Sequence, residues 1–143
     1  MSPRVLRLYT VTKEEIVEII KCKRELGKTV FVCGNGGSAA NAEHFTNDLF
    51  SKGVKAHCLN SNTSIMTMIA NDFGYEYVFS KQLELFFSTG DVVVLVSCSG
   101  TSKNILEAMK TCVERIEIFG GKGTYGEMES AHSALLHQIS EAL

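Results

Sequence analysis

Apolar and polar positions along the chain follow two alternating patterns, one of helical period and one of strand length. Thr12-Lys13-Glu14-Glu15 has the form of a capping box, Ile16, Ile19 and Ile20 supply an apolar stripe, and Gly27 is a stop, which predicts a helix from Lys13 to Leu26. Thr29-Val30-Phe31-Val32-Cys33 is short, β-branched and apolar throughout, the signature of a strand covered on both faces. Ala39 to Phe50 has helical composition, and Ser51-Lys52-Gly53 separates it from a second strand, Val54 to Leu59. Asn60 to Ser64 can cap a helix over Ile65 to Ala70, and a turn at Asn71-Asp72-Phe73-Gly74 leads into another helical stretch, Tyr75 to Phe87. The strongest strand signal, Val92 to Val96, follows a break at Thr89-Gly90-Asp91. A helix over Lys103 to Val113, a strand over Arg115 to Phe119 and a last helix over about Glu127 to Ala142 complete the pattern.

Strands alternating with helices imply βαβ units. The expected fold class is therefore α/β: a doubly wound, three-layer α/β/α arrangement on a mostly parallel sheet of four or five strands. The strand-loop-helix units 29–50 and 92–113 echo each other, but no tandem repeat of solenoid period is present.

Length and composition narrow the classes. At 143 residues the chain suits one domain spanning positions 1–143. With 45% hydrophobic residues and a single proline, at position 3, general disorder is excluded. The longest apolar runs are strand length, against the roughly 20 residues of a membrane-crossing helix. The first residues carry positive charge but no following apolar stretch, so they do not read as a signal peptide. A net charge of −2 without any Lys/Arg cluster argues against a nucleic-acid surface. Five cysteines without a C-x-x-C pair suit a reducing cytoplasm.

Two loops carry candidate chemistry. In an open parallel sheet, ligands bind beyond the carboxyl ends of the strands, where Gly34-Asn35-Gly36-Gly37-Ser38 and Ser97-Cys98-Ser99-Gly100-Thr101-Ser102 both fall. Small residues and hydroxyls at helix starts suit phosphate, which free N–H groups and the helix dipole attract. Tight turns and ordinary N-capping would also produce such loops. His44 and Asp48, four residues apart, share a helix face, as an ion pair or as two metal ligands. On the last helix, at 100° per residue, Glu129 and His137 are about 80° apart around the axis, while His132 and His137 diverge by about 140°. Glu129 and His137 can thus converge on one point, with His132 turned elsewhere. The default for any one histidine is a partly buried, hydrogen-bonded imidazole. Together His44, Asp48, Glu129 and His137 would fit a zinc-like site, although spacing alone does not bring them together.

These segments, with Thr63-Ser64-Ile65, Ile69-Ala70-Asn71-Asp72-Phe73-Gly74-Tyr75, Phe79-Ser80-Lys81-Gln82 and Gly90-Asp91, resemble the sedoheptulose 7-phosphate isomerases (phosphoheptose isomerases) of the sugar-isomerase, or SIS, superfamily. The resemblance runs in order from about residue 12 to 121 and resumes over the last helix. It implies that Ser97, Ser99 and Ser102 hold a sugar phosphate, with Cys98 where the family often has threonine. It implies that Asn35, Gly36, Gly37, Ser38 and Asp72 border the sugar. His44, Asp48, Glu129 and His137 occupy the family's zinc-ligand positions, and Asp48 and His137 those of its acid/base pair. The implied reaction converts sedoheptulose 7-phosphate into D-glycero-D-manno-heptose 7-phosphate through an enediolate, with metal assistance. The implied assembly is a homotetramer with shared sites, and Val5, Leu6, Leu8 and the first helix are interface candidates. Asp48 stands where the family has glutamate, and Glu129 where it has glutamine. A family helix, strand and polar loop before the last helix are replaced by Gly120 to Met128, with Gly126 at the place of the loop's aspartate. A catalytically silent SIS domain that senses a phosphosugar or binds another protein is the rival reading.

Overall fold

The computed structural model describes residues 11–112 and 114–143, so Val5, Leu6 and Leu8 lie outside the described residues. The elements are α1 (Lys13–Leu26), β1 (Thr29–Gly34), α2 (Gly37–Ser51), β2 (Lys55–Cys58), α3 (Thr63–Asp72), a 3-10 turn (Tyr75–Tyr77), α4 (Ser80–Phe86), β3 (Val92–Ser97), α5 (Lys103–Thr111), β4 (Arg115–Phe119) and α6 (Tyr125–Glu141). The four strands form one parallel sheet in the order β2-β1-β3-β4, as the alternation of elements implied.

Side-chain alternation along the central strands sorts the core into two layers. Val30 and Val32 of β1, Val92, Val94 and Val96 of β3, and Ile116 and Ile118 of β4 pack with Ile16 and Ile20 of α1, Phe45 and Leu49 of α2, and Leu136 and Ile139 of α6. Phe31, Cys33, Val93 and Leu95 face the other way, against Ile69 of α3, Leu83 of α4 and Ile105 and Ala108 of α5. Both faces are covered, which explains why β1 and β3 read as continuous apolar runs.

Local chemistry sets the element ends. Thr12 Oγ1 accepts the Glu15 N–H at 3.2 Å, and Gly27 closes α1 in the left-handed region at φ 66°. Asp91, almost fully buried, accepts the N–H groups of Thr29 and Ser88, both at 2.9 Å, and so ties the starts of β1 and β3 together. The expected continuous helix from Tyr75 to Phe87 is instead a 3-10 turn followed by α4. Val78 and Phe79, at the break, are fully buried, and the Val78 carbonyl accepts from the Gln82 side-chain amide at 2.8 Å, so core packing overrides helical continuity there. α6 begins at Tyr125 rather than Glu127, because Thr124 and Glu127 form a reciprocal capping box.

β1 and β3 are neighbours with Gly34 opposite Val96, so the loops that follow them leave the sheet side by side. Gly34 is at the tightest point of this junction. A Cβ there would lie 2.7 Å from the carbonyl oxygens of both Ser38 and Val96. The Asn60 side chain closes the other side, accepting the Gly34 N–H at 3.2 Å and donating to its carbonyl at 2.7 Å. Gly34→Ala is expected to lower the unfolding free energy by about 1–3 kcal/mol, the usual cost of overpacking, as a lower urea midpoint with unchanged m-value.

Candidate functional site

Beyond the carboxyl ends of β1 and β3 is a cavity of about 240 Å³ lined by Asn35, Gly36, Gly37, Ser38, Ser97, Cys98, Ser99, Ser102, Tyr125 and Glu129. Gly36, with φ 55° and ψ −120°, turns the chain into α2 in a conformation that L side chains rarely adopt. Neither Gly36 before α2 nor Ser102 before α5 caps its helix through a side chain; at α2 the Ser38 and Ala39 N–H groups turn back to the Asn35 and Gly36 carbonyls, at 2.9 and 3.0 Å, so the donors left for an anion are the Gly37 N–H and those that open α5. The serine loop holds its own shape: Gly100 N–H donates to Ser97 Oγ at 2.9 Å, and Thr101 N–H to Ser99 Oγ at 3.2 Å. On the opposite rim, Asn35 and Asn104 exchange side-chain hydrogen bonds, both 2.8 Å, and Tyr75 O–H donates to Asn35 Oδ1 at 2.9 Å. Asn60, Asn104 and Tyr75 join the site through partners distant in sequence, which no local spacing reports.

Of the residues expected to border the sugar, Asp72 is the one the structure does not bring to this cavity. It ends α3 in an exposed position, where its carboxylate accepts from Asn71 Nδ2 at 3.0 Å.

A second group lies farther along α2, where it packs beside α6. His44 Nε2 is 3.6 Å from Asp48 Oδ1, and His137 Nδ1 is 3.3 Å from Asp48 Oδ2. The imidazole rings meet edge to face with centroids 4.7 Å apart. Asn41, Phe45, Ser133 and Leu136 complete the walls of a space of about 10 Å³. Ligand atoms on His44, Asp48 and His137 all lie within 4.8 Å of one another. Tetrahedral zinc with bonds of about 2.0–2.1 Å sets its ligand atoms about 3.4 Å apart. The two carboxylate–imidazole separations bracket that value, and two neutral imidazoles with one carboxylate are a suitable donor set. These three residues fit a small divalent cation.

Glu129 is not part of this cluster. Its carboxylate rests against Gly37 in the larger cavity, and its backbone carbonyl accepts from Asn41 Nδ2 at 2.9 Å. Glu129 and His137 are aligned around the helix, but the axial rise over eight residues, about 12 Å, separates them. His132 does turn elsewhere: it is buried, with Nε2 2.6 Å from the Gly120 carbonyl oxygen.

The structure is thus a doubly wound α/β domain with its ligand-type loops at the crossing point of the sheet, and with a His-Asp-His group between two of its helices. The family model for the SIS domain matches residues 12–116, and the chain belongs to that family. A phosphoheptose isomerase of Campylobacter concisus is 43% identical over 106 residues, covering 68% of this chain and 56% of that protein. One from Neisseria gonorrhoeae is 41% identical over 120 residues, covering 80% and 59%. The chain therefore spans little more than half the length of these curated relatives. A solved Neisseria gonorrhoeae phosphoheptose isomerase superposes with a TM-score of 0.86 at 29% identity, covering 90% of this chain and 83% of that one. A phosphoheptose isomerase structure from Francisella tularensis, at TM-score 0.83 and 22% identity, shares the fold. No helix among the described residues is long and apolar enough to cross a membrane.

The cysteines provide a probe of the larger cavity. Burial pushes the Cys33 thiol well above its ordinary range and that of Cys112 up to about 12, so neither supplies thiolate near neutral pH. Cys98 is half-buried on the cavity wall, and Cys22 is exposed. At pH 8, iodoacetamide is expected to modify Cys22 and Cys98 but not Cys33 or Cys112 in the native protein. Inorganic phosphate should slow modification of Cys98 without affecting Cys22, as read by peptide mass spectrometry.

Proposed function

We propose that this chain is a phosphosugar isomerase domain, spanning residues 1–143, that interconverts sedoheptulose 7-phosphate and D-glycero-D-manno-heptose 7-phosphate. The observation that carries this reading is the spacing of the two groups along one helix pair. His44 lies seven residues after Gly37, about 10 Å along the axis of α2. An extended carbon chain advances about 1.25 Å per bond, or roughly 9 Å for the seven bonds from the second carbon of a heptose to its phosphorus. A phosphate at the serine loop therefore leaves the first two carbons near His44; Asp48 is about 6 Å farther along α2 and meets them through the lean of its side chain toward the helix start.

The phosphate is held by the N–H groups that open α5, by the Gly37 N–H at the start of α2 and by the hydroxyls of Ser97, Ser99 and Ser102. Ser38 and Asn35 orient the sugar hydroxyls. In the ketose-to-aldose direction, Asp48 takes the proton from C1 and returns it to C2, while His137 carries the hydroxyl proton from O1 to O2. Removal of the first proton leaves an enediolate, so a fixed positive charge or donor near the oxygens lowers the barrier. A zinc ion held by His44, Asp48 and His137 would supply that charge. His44 supports the pair by facing the second carboxylate oxygen of Asp48.

The reading includes a homotetramer, supported by large exposed apolar side chains such as Phe50, 77% exposed, and Leu85, 80% exposed. It also includes a cytoplasmic setting, supported by five free cysteines. The second reading, a domain that binds a phosphosugar without turning it over, is favoured by one observation: the chain covers little more than half of its curated relatives.

Isomerisation of sedoheptulose 7-phosphate by the zinc-loaded chain is the deciding assay. Asp48→Asn and His137→Ala are each expected to lower kcat by about 10²–10⁴-fold, the range for removing general acid–base catalysis, with substrate affinity changed far less. Binding with no turnover by folded, zinc-loaded protein would establish the second reading instead.

A further inference from the structure

His132 is buried at 5% exposure and takes no part in the steps above. Its Nε2 is 2.6 Å from the Gly120 carbonyl oxygen, so Nε2 carries the proton and donates it there. Its Nδ1 is then a bare acceptor, buried and without a partner among the described residues. Leaving an acceptor unsatisfied in the core is unfavourable, and an apolar side chain would fill the space without that cost. The role of this imidazole must lie in what Nε2 holds.

Gly120 stands where β4 ends and the chain turns toward α6, in the left-handed region at φ 72°. Its N–H forks to the carbonyls of Ser97 and Cys98, at 3.2 and 3.1 Å. One peptide unit therefore bonds the serine loop on its amide side, and the next, through the Gly120 carbonyl, bonds α6. Phe119, immediately before, lies against Gly100 of the same loop, where a Cβ would come 2.9 Å from its ring. The connection from Gly120 to Thr124 is short and glycine-rich, with Gly121 and Gly123 also at positive φ, so without an anchor little would fix its direction.

We infer that His132 is a positioning residue for phosphoryl binding: by fixing the Gly120 carbonyl it sets the backbone of the Ser97–Ser102 loop. The inference rests on the proposed reading of the cavity as the phosphate site. It couples α6, which carries His137, to the loop at the far end of the substrate.

The test compares three variants of the full chain. His132→Leu removes the donor, and His132→Gln keeps one that can reach Gly120. Ile139→Val, buried in α6 away from both sites, controls for general loss of stability. Titration with inorganic phosphate and with sedoheptulose 7-phosphate is expected to show about tenfold weaker binding for His132→Leu, of the order of one lost hydrogen bond. His132→Gln should stay within about twofold of the parent, and Ile139→Val should be unchanged whatever its Tm. In turnover, His132→Leu should raise KM by a similar factor and leave kcat nearly unaltered. If His132→Leu does not fold, His132→Asn, too short to reach Gly120, takes its place. Amide hydrogen exchange provides a readout independent of ligand. Protection at Gly100 and Gly120 should fall in the donor-less variant and return in His132→Gln, while β1 amides keep theirs.

Equal phosphate affinity in parent and His132→Leu would overturn the inference, as would a glutamine variant no better than leucine, or unchanged exchange at Gly100 and Gly120. If the parent binds no phosphoryl compound, the reading of the cavity fails, and the role assigned to His132 in phosphoryl binding fails with it. A loss of exchange protection would then leave only a structural clamp.

Discussion

The side-by-side exit of β1 and β3 is the constraint on which the rest of the structure depends. These two strands are neighbours in the sheet, yet the helices that follow them, α2 and α5, pack on opposite faces. Their loops diverge from a common edge and open a crevice, as happens wherever strand order reverses in a doubly wound sheet. Closure at the bottom of that crevice is tight enough that only glycine fits at position 34, between the Ser38 and Val96 carbonyls. Two helix starts without side-chain caps are thereby aimed at one volume. What the cavity offers a ligand comes from backbone geometry and hydroxyls, since no lysine or arginine lines it and its one charged side chain is the Glu129 carboxylate beside Gly37.

The packing of α2 beside α6 extends this local preference into a longer site. Both helices begin near the crevice, with Gly37 beside Glu129, and both carry their histidines well down their length, with Asp48 beside His137. The helices therefore set the spacing between the loop cavity and the His44–Asp48–His137 group. Aspartate in place of a longer carboxylate suits this arrangement. Its side chain stays close to α2, within reach of His44 one turn earlier and of His137 from the neighbouring helix, and each imidazole faces a different oxygen. A single short carboxylate flanked in this way presents one oxygen to each ring, at 3.6 Å from His44 Nε2 and 3.3 Å from His137 Nδ1.

What the linear chain reveals about this molecule depends on how local the determining interaction is. The α1 boundaries follow from Thr12, Glu15 and Gly27, all within the helix or next to it, and they agree with expectation. β1 and β3 announce themselves as double-sided apolar runs because burial on both faces leaves no place for polar alternation. The start of α6 carried a legible signal in Thr124 and Glu127, a capping box passed over among the preceding glycines. Failures of the local reading concentrate where distant residues decide. Gln82 reaches Leu59 as well as Val78, and the helix expected over Tyr75 to Phe87 divides there. Glu129 lines the loop cavity and not the His44–Asp48–His137 group because of the rise along α6, and Asp72 is exposed at the end of α3.

The passage from β4 to α6 is brief, five residues from Gly120 to Thr124. A brief connection constrains where α6 can begin, and three glycines at positive φ let it turn sharply enough to do so. Flexibility of that kind would leave the helix free to slide along its axis by a residue or more, which would carry His137 past Asp48. Two contacts to groups outside the helix oppose such sliding at different heights: Asn41 of α2 on the Glu129 carbonyl, and His132 on Gly120 a turn farther on. Below them Leu136 and Ile139 seat the helix in the core shared with α1 and α2. Register, more than orientation, is what the polar contacts contribute. Apolar packing alone tolerates small axial shifts, whereas a hydrogen bond to a fixed carbonyl weakens steeply once its geometry is lost.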